Sequence, residues 1–121
     1  MTRKSALELI ERLEKAAGPD RDLDGAIYRS LHASHDDAWP HWTTVQRDEI
    51  VLHYTASIDA AVTLVPFAED KATHWGVELD RGFEAWVSRN NVSSGHWLHQ
   101  GFGSTPAIAL CIAALKARST P

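Results

Sequence analysis

One cysteine in the chain, Cys111 within the apolar run IALCIAAL, excludes a disulfide framework and a thiolate metal cluster. Without disulfides to protect, a reducing cytoplasmic compartment is the expected location. Long apolar runs are also missing. The longest, Ala107 to Leu115, falls well short of the roughly 18 residues of a membrane span. The opening MTRKSALELIERLEK interleaves charge with apolar residues, so no signal peptide is expected there. Basic charge is scarce. Twelve Lys and Arg face 16 Asp and Glu, a net charge of −4, and residues 1–24, 25–72 and 73–121 carry −1, −4 and +1. No segment forms the basic stripe that neutralises phosphates, so nucleic-acid binding is not expected.

What is present suits a folded domain. Hydrophobic residues make up 44% of the 121 and charged residues 23%, a globular balance. The length supports one core, so residues 1–121 form a single domain.

Helices frame the chain. Ser5 and Glu8 have capping-box spacing, and Ala6, Leu9, Ile10, Leu13, Ala16 and Ala17 fall on one face. Gly18 and Pro19 should end that helix through a left-handed cap. Asp20 can cap a second helix burying Leu23, Ala26, Ile27 and Leu31. Periodicity then disappears, and residues 32–48 read as an inserted loop. The β-branched and aromatic content of Glu49 to Tyr54 predicts a short strand. Ser57 can cap a third helix with Ile58, Ala61, Val62 and Val65 on one face, stopped by Pro66.

From His74 the period switches to two. Trp75, Val77 and Leu79 alternate with His74, Gly76 and Glu78, and after Asp80, Arg81 and Gly82 the alternation resumes through Phe83, Ala85 and Val87. This predicts a hairpin pairing Leu79 with Phe83, Val77 with Ala85 and Trp75 with Val87 as an apolar face. Opposite it, Trp86 should cover Gly76, and Glu78 should face Glu84. A third strand is expected around His96 to Gln100. Thr105 and Pro106 mark the start of a last helix that is apolar all round from Ala107 to Leu115. Such a helix must be covered on several sides, by a sheet and helices or by a second subunit, so a homo-oligomer is expected. The order α-α-β-α-β-β-β-α predicts an α+β fold, a layered sandwich with a small antiparallel β-sheet packed against helices.

The stretches YTASIDAAVTLVP (Tyr54 to Pro66), STPAIALCIAALKAR (Ser104 to Arg118) and ELIERLEKAAGPDRDLDGAI resemble small phage, prophage and alphaproteobacterial proteins of the phage alpha-beta-alpha sandwich type. The segment His32 to Val51 stands outside that resemblance. It implies a layered α+β fold and a phage-related accessory role in the host cytoplasm, and it brings no catalytic residues.

Several groups could carry chemistry. His32, His35, Asp36, Asp37 and His41 offer imidazole and carboxylate to a metal, with His35, Asp36 and His41 the best placed, but they lack helical ligand spacing and read first as a solvated loop. Trp39 and Trp42 flank Pro40, as anchors of that loop or as a surface for a partner protein. Gly103, Ser104 and Thr105 stand before a helix start, where free N–H groups attract anions. His74, His96 and His99 alternate with tryptophans and could line a pocket with Trp86 and Arg89, suited to a planar anionic ligand. No nucleophile elbow or carboxylate pair beyond Glu78 and Glu84 points to a reaction.

The resulting expectation is a non-enzymatic phage or prophage accessory protein needing no cofactor. It would bind a small, nucleotide-like anion or a host protein, with blunting of an antiviral defence as one role. The alternatives are an RNA-binding module, whose α-β-β-β-α tail resembles the double-stranded RNA-binding fold, and a metal-dependent hydrolase built on the His/Asp loop.

Overall fold

The computed structural model describes residues 3–32, 48–66, 73–79, 83–91 and 95–119. Among the described residues the principal elements run in the order α1 (Arg3–Lys15), α2 (Arg21–Leu31), α3 (Ile58–Val62), β1 (Thr73–Glu78), β2 (Phe83–Asn91), β3 (Gly95–Gly103) and α4 (Pro106–Ser119). The strands form one antiparallel sheet in the order β1-β2-β3. The architecture is α+β and layered. One face of the sheet rests on α4, α1 and α3 cover the other side of α4, and α2 packs on α1.

Helix α4 is the centre. Every residue from Ala107 to Leu115 is buried. Thr105 starts it as expected, its Oγ1 accepting the Ile108 N–H at 3.1 Å. Lys116 and Arg118 lie in the last turn, where the helix dipole favours cations, and Arg118 Nε donates to the Leu64 carbonyl. The expected oligomer was to cover this helix. Within one chain the sheet, α1 and α3 already do so, which removes that reason for association.

The hairpin register matches the alternation. Trp75 pairs with Val87, Gly76 with Trp86, Val77 with Ala85 and Glu78 with Glu84. Ala85 and Val87 are fully buried against the helix layer, with Val77 and Phe83 packed beside them. β1 stops at Glu78, however, leaving Leu79 exposed, and Trp75 sits at the rim of the face. The turn at residues 80–82, with the expected positive φ of Gly82, lies outside the described residues. β3 is longer than expected and takes in Gly101 to Gly103, and at the two glycines only bare backbone fits beneath α4. A Cβ on Gly101 would stand 2.7 Å from the Ala113 nitrogen.

The helical cores of α1 and α2 follow the predicted faces, with Leu9, Ile10, Leu13, Leu23 and Ile27 buried. Asp20 caps α2, accepting from the N–H groups of Asp22 and Leu23. Ser57 caps α3, which lasts only five residues and leaves Ile58 exposed. Two terminal signals fail. α1 begins at Arg3, so Ser5 is a helical residue and not its cap, and Gly18 does not take the left-handed conformation. The helix closes instead at Lys15, with the Ala16 N–H on the Leu13 carbonyl.

The strand expected over Glu49 to Tyr54 is not formed. Residues 48–50 are helical and 54–56 form a turn. The carbonyls a sheet partner would need are taken. The Arg21 guanidinium donates to those of Val51 and Leu52 at 3.3 and 3.2 Å, and the His53 carbonyl accepts from the N–H groups of Ala56 and Ser57. Among the described residues, no helix is long and apolar enough to cross a membrane.

Candidate functional site

Strand register sorts the predicted ligand residues onto two faces. Arg89 lies opposite Thr73 on β1 and Trp97 on β3, and His99 lies opposite Val87. Because successive strand residues alternate between faces, Thr73, Trp75, Arg89 and His99 share the side of buried Val87, towards α4. Trp86 and His74 share the other side, facing out. There a Cβ on Gly76 would stand 2.6 Å from Trp86 Cζ2, so the indole covers Gly76 as expected. His96 lies opposite Asn90 in the ladder. The expected pocket combining Trp86, Arg89, His74 and His99 is therefore divided by the sheet itself.

The helix start is separate again. Gly103 pairs with Phe83 while Arg89 lies six residues further along β2, about 20 Å away at strand rise. The Thr105 hydroxyl is occupied, accepting from Ile108 N–H and donating to the Thr55 carbonyl at 3.2 Å. Gly103 and Thr105 thus serve strand and cap, Ser104 is exposed between them, and none reaches Arg89. Trp39, Trp42, His35, Asp36, Asp37 and His41 lie outside the described residues. His32 ends α2, its ring centroid 4.4 Å from that of Tyr28. No group of three or more His, Cys, Asp or Glu able to hold a metal occurs among the described residues.

What the structure does bring together is a cationic corner where β1 begins. Thr73 is 7% exposed, and its Oγ1 has no hydrogen-bond partner among the described residues. Directly across the ladder, Nε and Nη1 of Arg89 are buried, and His99 Nε2 is buried one strand further on. Lys116 reaches over from α4 and donates from Nζ to the Gln100 carbonyl at 2.9 Å. Burial, and then the charge of Lys116, hold the His99 pKa below its ordinary 6.5, so the imidazole is neutral at pH 7. Both sheet carboxylates, Glu78 and Glu84, lie on the outward face by register. Trp75, 38% exposed, borders the corner along β1. The four sheet residues span about 7 Å along the strands and about 10 Å across them.

Sequence reasoning picked out Arg89 and His99 but passed over Thr73, Trp75 and Lys116. The signal was available in the alternation, which puts Thr73 and Trp75 on one face. Trp75 alone enters the predicted apolar face, because its apolar partners Val77 and Val87 share it. Lys116 was read only as a helix-end cation.

A second polar cluster, also passed over, is structural. Asp24 is buried, with Oδ1 accepting from Thr55 N and Oγ1 at 2.8 Å each and Oδ2 from Arg21 Nη1 at 2.9 Å. Arg21 also bonds Asp48 Oδ1 at 3.1 Å, and Thr55 Oγ1 accepts the Asp20 N–H at 2.8 Å. Donors and acceptors here are matched, so the cluster fastens α2 to the segment before α3. Cys111 nearby is fully buried and donates to the Tyr54 carbonyl at 3.2 Å; burial pushes its thiol far up, so it is no nucleophile at neutral pH.

No protein-family model, curated protein or solved structure matches this chain.

Proposed function

We propose that this chain is a non-enzymatic phage or prophage accessory protein that binds a small, nucleotide-like anion at the corner formed by Thr73, Trp75, Arg89 and His99. The observation that carries the reading is the buried Thr73 hydroxyl, without a hydrogen-bond partner among the described residues, directly across the ladder from the Arg89 guanidinium. A buried hydroxyl is normally satisfied, and an oxyanion seated between it and Arg89 would accept from both. The neutral His99 ring adds a polar nitrogen and Lys116 adds positive potential, and the rim indole of Trp75 offers a face for an aromatic ring. The phage setting rests on the resemblance of the helical segments. A sink for a signalling nucleotide is one way such a protein would blunt a defence.

The test is an amide NMR titration with AMP and, separately, with inorganic sulfate. Shifts centred on Thr73, Trp75, Arg89 and His99 are expected for both, with AMP binding at least tenfold more tightly. Arg89→Gln should abolish both responses, and Trp75→Ala should remove the AMP advantage alone. Absence of shifts at these residues up to millimolar concentrations, or shifts centred elsewhere, overturns the reading.

A further inference from the structure

The free side of β3, which shares His99 with the anion corner, is a second feature. β3 is nine residues long and ends the sheet, and among the described residues no strand pairs with its far side. Its sequence GHWLHQGFG holds no Asp, Glu, Lys, Arg or Pro, the residues with which edge strands are ordinarily blunted. On the outward face, Leu98 is 59% and Phe102 62% exposed. The opposite end strand is different. β1 has six residues and finishes at Glu78, beside Glu84.

We propose that β3 pairs antiparallel with β3 of a second copy of this chain, about a two-fold axis at His99, joining two sheets into one of six strands. A row of backbone donors and acceptors is matched by another extended strand, and a second copy supplies one of equal length. The symmetric register sets Gly95 opposite Gly103 at both ends, and β3 itself brings no Asp, Glu, Lys or Arg side chain against its copy. Leu98 falls opposite Gln100 of the second copy, with the second copy's Phe102 on the diagonal, about 7–8 Å away and within reach of an aromatic ring. The two exposed apolar side chains of each edge thereby cover those of the other. Lys116 holds the Gln100 carbonyl, so the new ladder is carried by the strand's other backbone groups.

Sedimentation of the full chain tests this. The wild type should sediment at twice 13.4 kDa at micromolar to millimolar concentration. The Leu98→Glu, Phe102→Glu double variant should associate at least tenfold more weakly while keeping the wild-type circular dichroism, because both side chains are exposed in the single chain. In a mixture of differently labelled wild-type chains, intermolecular NOEs should connect Gly95 with Gly103 and Leu98 with Gln100. A wild type that stays monomeric, a dimer indifferent to the two charges, or a dimer without these NOEs overturns the proposal.

Discussion

Asp24 and Thr55, 31 residues apart in the chain, meet in the interior with two hydrogen bonds of 2.8 Å to a single carboxylate oxygen. The pair joins the first turn of α2 to a segment that would otherwise be a loose connection. Removing the carboxylate strands the buried Thr55 N–H and takes one acceptor each from the Thr55 hydroxyl and Arg21 Nη1, which keep the Asp20 and Leu52 carbonyls. Asp24→Ala should cost about 3 kcal/mol of stability, and Asp24→Asn, which keeps an oxygen for Thr55, about 1.5 kcal/mol. Urea unfolding with a common slope measures both, and equal losses would contradict the role given to the Thr55 bonds.

Two glycines should respond oppositely to alanine. At Gly101 the added methyl meets α4 backbone, which cannot swing aside as a side chain can, and Gly101→Ala should lose about 3 kcal/mol. At Gly18 nothing stands within 4 Å of the new Cβ and the backbone is not left-handed. Gly18→Ala should therefore be neutral or gain up to about 1 kcal/mol by restricting the unfolded chain. Thermal unfolding of the two variants side by side checks the contrast.

Acid should weaken the fold through His99. Burial and then Lys116 depress its folded pKa below 6.5, so on acidification the unfolded chain takes up the proton first. Its contribution is complete above pH 6.5, is lost as pH falls through the interval down to the folded value, and levels off below it. His99→Gln should flatten that part of the profile. Urea midpoints at about pH 7.5 and about pH 5 compare the two proteins across the ordinary histidine range.

Cys111 should resist thiol reagents in the native state. It is buried, its thiol is pushed well above the ordinary range by desolvation and then by Asp24, and its hydrogen is given to the Tyr54 carbonyl. Modification should require opening of α4, the most enclosed helix, so its rate should rise with urea in step with global unfolding. Rapid native-state labelling would mean that α4 opens locally.

The helices and the hairpin register were legible because their signals are local. Asp20, Ser57 and Thr105 cap through hydrogen bonds within three residues, and the two-residue period of Trp75 to Glu78 and Phe83 to Val87 tolerates one register that buries the apolar set. The strand expected at Glu49 to Tyr54 failed because its carbonyls belong to Arg21, some thirty residues earlier. Nothing in the local pattern announces that competition.

The same division runs through the candidate site. Composition and periodicity by themselves determined an α+β domain with an all-apolar final helix and a short antiparallel sheet, because burial and capping act between near neighbours. Which imidazoles and indoles stand together was decided only when the strands were laid side by side. A face is a property of several strands and the helix behind them. Thr73 joined Arg89, Trp86 and His74 went to the far side, and α4 was closed by its own chain through contacts between residues remote in sequence.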